Sequence, residues 1–327
     1  MFKPLSSQTF KARLFKALLL WVCCLSSPIS FAQQTPIKLM VGFPAGGGTD
    51  VIARVLGEQL AKILGTPVIV ENRAGAGGQI AAQALKSAPT DGSVLFLSHD
   101  HTISILPLIN KNVGFSPATD FVPVAGFASF SNGIALSGYL TQQSLEQFAQ
   151  AVRSEKQGKA AVGVPAPQSV PEFLVKILAK QYKLDLIAVP YKGSAPMIAD
   201  MLGKQIPAGV ASVPDLIEFQ KSGKLRMVAV MGAQRQALLP DTPTFAELGI
   251  AGFEDLPYYG IFAPKGTPAS ILERYSSALK QVLEIPQVRE RLTGLGLTVE
   301  YMTGPTLAQR ESAYSTNWSR IIAQSGL

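Results

Sequence analysis

The sequence predicts an α/β protein with a second α/β unit inserted into the first. Three observations predict it: short apolar runs alternate with helix-periodic stretches, glycine-rich turns join strands to the helices after them, and a strand-rich middle runs from about Ala128 to Tyr258. Short, buried-looking strands alternating with helices call for parallel sheets covered on both faces. In such folds a ligand binds outside the carboxyl ends of the strands.

The first strand, 37–42, leads through the turn Gly42–Asp50 into a helix over 50–64 that Gly65 ends. Strand 67–71, helix 78–86, strand 94–98 and strand 121–128 follow. The middle reads as helix 143–157, strand 160–164, helix 170–182, strand 186–191, helix 195–202, strand 206–213, helix 214–222 and strand 225–231. Strand 258–263, helix 268–283, strand 297–302 and helix 305–324 complete the chain. The corresponding division is a discontinuous domain of residues 33–128 and 259–327 around a second of residues 129–258, in line with the soft prior that length sets.

Residues 1–32 read as a cleavable secretory signal. Lys3, Lys11, Arg13 and Lys16 precede the apolar run Ala17–Leu25, and Ser30-Phe31-Ala32 fits a small-x-small cleavage rule. The apolar run is too short to span a bilayer. Cys23 and Cys24 both fall inside it, so the mature chain has no disulfide, thiolate or cysteine–metal chemistry. Losing four of the 29 basic residues leaves a balance of +3 against 22 acids. That balance helps draw in anions but makes no case for nucleic acid.

The turn Gly42-Phe43-Pro44-Ala45-Gly46-Gly47-Gly48-Thr49-Asp50 carries most of the functional information. Glycine lets a ligand lie close to the backbone. Thr49 or Asp50 can cap the helix, whose free N–H groups and positive dipole end attract an anion. Gly48 is followed by Thr49-Asp50 and not by Lys-Ser/Thr, so this is no P-loop, and no Gly-x-Gly-x-x-Gly spacing marks a dinucleotide site. A carboxylate fits better. A bulky residue at Gly46 is then expected to abolish binding. A turn that only reverses the chain is the alternative.

Other strand-end loops add candidates. Glu71–Gly78 can supply backbone donors or simply pack its helix on the sheet. Ser98-His99-Asp100-His101-Thr102 holds both histidines of the chain; if extended, His99 and His101 share a face and suit a ligand carboxylate. A zinc site needs a third protein ligand that no cluster provides. Ser169 and the run Val189–Ser194, with Tyr191 and Gly193, sit at strand-to-helix turns, where capping is the plain reading. The Gly-x-Ser-x-Gly elbow of serine hydrolases is absent.

These residues resemble a known family. Pro36–Asp50, Pro67–Gly78, Asp120–Ala125, Val189–Pro196, Gly223–Arg226, Leu239–Thr244 and Gly260–Pro268 together are similar to the Bug receptors, the extracytoplasmic solute-binding proteins of tripartite tricarboxylate transporters. The resemblance covers essentially the whole mature chain. It implies a two-lobed periplasmic binding protein, a flytrap, with the second domain inserted into the first. Such a protein would be monomeric, would have no catalysis, metal or cofactor, and would deliver a small organic anion to membrane transporter subunits. The family's clamp maps onto Phe43, Pro44, Ala45, Gly46, Gly47 and Thr49, and onto Ser98 to Thr102, including His99, Asp100, His101 and Thr102. Ser169, Tyr191, Gly193 and Ser212 would join on closure.

Two departures bear on the ligand. Leu106 stands where relatives commonly carry Asn, and Ala211 where they carry Asp, which argues against an amino-acid ligand unless Ser212 or Asp100 compensates. A ligand-presenting sensor protein and a secreted hydrolase using His99 or His101 are the rival functions.

Overall fold

The chain's path sets two strands side by side at the boundary between two sheets. A computed structural model describes residues 35–325, so the signal assigned to residues 1–32 lies outside the described residues. The path begins β1 (Ile37–Val41), α1 (Gly48–Leu64), β2 (Val68–Asn72), α2 (Gln79–Lys86), β3 (Val94–His99) and β4 (Phe121–Ser129). It continues through β5 (Asn132–Ser137), α3 (Leu145–Glu155), β6 (Lys159–Val164), α4 (Val170–Tyr182), β7 (Asp185–Pro190), α5 (Ser194–Leu202), β8 (Ala208–Ser212), α6 (Val213–Lys221) and β9 (Leu225–Val230). It returns as β10 (Tyr258–Pro264), α7 (Ala269–Glu284), α8 (Pro286–Gly294), β11 (Thr298–Thr303) and α9 (Gly304–Ser325).

The first sheet has the order β11-β4-β10-β3-β1-β2, and the second β7-β6-β8-β5-β9. Both are mixed, which corrects the expectation of parallel sheets. β1 pairs in parallel with β2 and β3, but β10 lies antiparallel to both β3 and β4. The cause is the path. β4 leaves the first sheet only two residues before β5 starts in the second, and β10 re-enters beside it, with Tyr258 opposite Ser129. The crossings touch through Phe130 N–H to the Pro257 carbonyl at 3.1 Å and Met231 N–H to the Asn132 carbonyl at 2.7 Å.

Two elements depart from the sequence reading. β5 was not expected, because Asn132–Ser137 follows β4 so closely; it is wholly buried between β8 and β9. α8 begins at Pro286, where Ile285 is extended (φ −70°, ψ 117°). A residue before proline avoids the helical region while proline suits a helix's first position, so one helix stops and another starts.

Helix α1 shows how the core forms. Ile52, Leu56 and Leu60 recur at helical spacing and pack with Leu39 and Val41 of β1 in one buried cluster. Each such side chain contributes about 1.5–3 kcal/mol on burial. Gly65 ends the helix in the left-handed region, φ 64°. The loop after β2 is a packing device: Glu71 pairs with Arg73 at 2.5 Å, and a Cβ on Gly42 would fall 2.7 Å from the Gly78 Cα. Among the described residues, no helix is long and apolar enough to cross a membrane.

Candidate functional site

The glycine-rich turn delivers helix α1 to a cleft. Gly47 is its N-cap, with no side-chain cap bond, so neither Thr49 nor Asp50 caps the helix as expected. Asp50 acts from inside the first turn, accepting the Gly46 N–H at 2.9 Å, Asn72 Nδ2 at 2.9 Å and the Arg54 guanidinium at 2.9 Å. Burial opposes its charge, but these partners outweigh burial and lower its pKa. Thr49 Oγ1 instead lies 3.2 Å from the Tyr259 hydroxyl.

The Gly48 N–H donates to a carboxylate of this chain. Asp215, in the first turn of α6, accepts it on Oδ1 at 2.7 Å. The Ser194 hydroxyl donates to the same oxygen at 2.7 Å, and Ser212 to Oδ2 at 2.6 Å. A Cβ on Gly48 would sit 2.9 Å from Asp215 Oδ1, so the close approach requires glycine. Gly46 has a different role: φ is 83° and no atom lies within 4 Å of its Cβ position.

The two histidines do not share a face. The backbone turns helical at Asp100 (φ −44°, ψ −44°), so His99 ends β3 while His101 opens a π-helical turn. His99 stacks on Phe43 with ring centres 4.9 Å apart, meets Tyr259 edgewise at 5.4 Å, and places Nδ1 3.2 Å from Asp100 Oδ1. Asp100 also accepts from the Tyr314 hydroxyl at 3.0 Å. His101 is 5% exposed, and neither of its ring nitrogens has a hydrogen-bond partner. Gly77 packs against its Nε2, where a Cβ would collide.

Burial, reinforced by neighbouring His99, lowers the His101 pKa to about 4, so the ring is neutral at pH 7. An unfolded histidine titrates near 6.5; between about pH 6.5 and 4 the unfolded chain binds the additional proton, and stability falls as pH drops. In urea melts, wild type is expected to lose up to about 3 kcal/mol relative to His101→Leu between pH 7 and 4. Parallel profiles would contradict a buried neutral ring. Burial raises Glu311 to about 7, which tilts stability the opposite way above its ordinary 4.5, so the difference between the two proteins is the readout.

Phe43, Pro44, Gly47, Thr49, His99, Asp100 and His101 line the cleft from the first-sheet side, and Ser169 and Ser212 line it from the second. Ala45, Gly46, Thr102, Tyr191 and Gly193 do not line it. Ala45 and Gly46 face solvent. Thr102 donates to the Gly77 carbonyl at 2.8 Å, and Tyr191 to Asp200 at 2.6 Å. Gly193 (φ 104°) leaves room for the Pro44 ring, with its Cβ position 2.6 Å from Pro44 Cδ. Sequence reasoning missed Gly48, Phe130, Asn132, Ser194, Asp215 and Tyr259 as lining residues. Ser194 stood in a quoted motif, but Tyr259 read as a strand residue, Phe130 fell just past the strand read over 121–128, and Asp215 lay unremarked in the helix read over 214–222.

Among the described residues, no Lys or Arg lines the cleft. The cavity between its walls is small, about 50 Å³. Ala211 is buried in β8, and four residues on Asp215 lines the cleft. The hydrolase alternative finds no pairing to support it, because His99 meets Asp100 and the His101 amide, while His101 meets no hydroxyl. Among the described residues, no group of three His, Cys, Asp or Glu is placed to hold a metal ion.

Residues 52–327 match the family model described as "Tripartite tricarboxylate transporter family receptor". The chain is 31% identical over 296 residues to protein BugT of Bordetella pertussis, covering 89% of each chain. The structure of the periplasmic binding protein BugD is similar, with a TM-score of 0.83 at 30% identity, covering 89% of this chain and 97% of that one. MatC from Rhodopseudomonas palustris, solved with bound malate, gives 0.81 at 28% identity, covering 88% of this chain and 98% of that one. The fold is the two-lobed α/β fold of these binding proteins. The chain belongs to the Bug-type solute-binding receptors of the tripartite tricarboxylate transporter family.

Proposed function

We propose that this receptor captures a small organic acid in the cleft between α1 and α6 and presents it to membrane transporter subunits, as a monomer in the periplasm, without turnover or cofactor. The lobes that close on the ligand would be residues 33–128 with 259–327, and residues 129–258. One observation carries the reading: a helix N-terminus that holds a carboxylate on a backbone amide opens beside His101, a buried imidazole with both nitrogens unpartnered. A buried polar group without a partner is costly, and a bound acid would accept from its N–H. Malate bound to MatC is support of the same kind from a relative. Export would be accompanied by cleavage after Ala32, so N-terminal sequencing of periplasmic protein should begin at Gln33.

Thermal-shift screening with organic acids of two to eight carbons tests the binding reading. At about a hundred times Kd, a true ligand adds about 2.7 kcal/mol of apparent stability. Melting temperatures that stay flat with every acid up to millimolar concentration would sink it.

A further inference from the structure

We propose that Asp215 is an internal carboxylate seated at the N-terminus of α1, and that it selects for ligands with one carboxylate over dicarboxylates of the same length. The inference rests on the organic-acid reading above and adds which acids the cleft accepts.

The seat of Asp215 is fully built. Its Oδ1 takes the Gly48 amide and the Ser194 hydroxyl, each at 2.7 Å, and Oδ2 takes the Ser212 hydroxyl at 2.6 Å. Three donors from three separate elements hold a charge where the helix end favours an anion. The bond to Gly48 joins residues 167 positions apart and ties the first-sheet side of the cleft to the second.

Little is left on the second-sheet wall for another anion. Ser194 and Ser212 donate their hydroxyl hydrogen bonds to Asp215, and Ser169 donates to the Ala166 carbonyl at 2.7 Å. Apart from Asn132 of β5, the rest of that wall is apolar, made by Pro165, Ala166, Val170, Pro171 and Ala195. Among the described residues, the acids facing the cleft are Asp215 and the buried Asp100, and no Lys or Arg lines it to offset them. A ligand's second carboxylate would therefore meet like charge with no basic side chain among the described residues to offset it, and repulsion at short range in a narrow cleft is strong. An apolar tail meets a matching surface. One carboxylate still has a partner on the opposite side, at the unpartnered His101 ring, which is itself 95% buried and lines the same cleft.

The test is isothermal titration of wild type and Asp215→Asn with acids matched in length: butyrate and succinate, hexanoate and adipate, octanoate and suberate. Wild type is expected to bind the monocarboxylate at least tenfold tighter than its diacid. Asp215→Asn should narrow that ratio at least tenfold while retaining one cooperative melt. Diacids that bind wild type as well as their partners, or a ratio unmoved by the substitution, would overturn the proposal. If no acid binds either protein, the organic-acid reading itself fails and takes this one with it. A second readout needs no ligand: hydrogen exchange at the Gly48 amide should accelerate at least tenfold in Asp215→Ala, and equal exchange in the two proteins would refute the seat.

Discussion

Gly48→Val is expected to weaken organic-acid binding at least a hundredfold, a loss of roughly 2.7 kcal/mol, while both sheets stay folded. A Cβ at this position would lie 2.9 Å from Asp215 Oδ1 and 3.2 Å from both the Asp215 nitrogen and the Pro214 carbonyl carbon. Two of those three atoms are backbone of the opposite wall, which cannot swing aside as a long side chain would. The valine branches therefore force α6 away from α1, break the Gly48–Asp215 bond and disturb the cleft between the two helices. Gly48 is the first residue of its helix and has no unusual φ, so the helix itself tolerates the change. Gly46→Ala is the contrasting variant. Its φ of 83° penalises any side chain, yet nothing lies near its Cβ, so it should cost about 1 kcal/mol of stability and leave affinity nearly intact. Titration calorimetry and thermal melts on both variants separate the two roles. Unchanged affinity in Gly48→Val would show that the acid binds elsewhere.

Trp318→Ala is expected to destabilise the fold by about 3–5 kcal/mol, the range for removing a buried aromatic side chain. Trp318 is 1% exposed on α9, a helix that packs on β4 of the first sheet. Its ring lies 5.9 Å from Phe173 of α4, 6.3 Å from Phe253 and 6.1 Å from Tyr314. Phe173 caps its own helix's apolar face in the residues that build the second sheet, so truncating Trp318 opens a cavity where the two halves share one core. Urea melts with a lowered midpoint and an unchanged slope would register the loss. A change under 1 kcal/mol would mean that neighbouring rings collapse into the space.

The sequence made much of the fold legible because its signals are local. Apolar periodicity and glycine stops placed β1, α1, β2, α2, β3 and β4 to within a residue or two, since strand and helix periods are set by the backbone. β5 escaped because only two residues part it from β4, and α8 because Pro286 both ends one helix and begins the next. Strand direction was misread for the same reason in both sheets. Alternation with helices favours parallel pairing, but a chain that passes into a second sheet and back must return antiparallel beside its own exit.

At the site, the glycine-rich turn and the paired histidines were read from residue type and position, because a helix N-terminus after a strand attracts an anion, whereas Ser212 came only with the family resemblance. What occupies that seat was decided by tertiary structure alone. Asp215 reaches Gly48 across 167 residues, and no local pattern marks an acid in a helix's first turn as the partner of a distant amide. His101 is the same kind of case. Its neutral, unpartnered ring follows from a backbone turn at Asp100 and from packing against Gly77, both of which depend on how the loops after β2 and β3 meet. Sequence by itself determined that this protein has a place for an anion; the assembled walls decided that one carboxylate is already there, because side-chain contacts between distant segments exist only once the chain has folded.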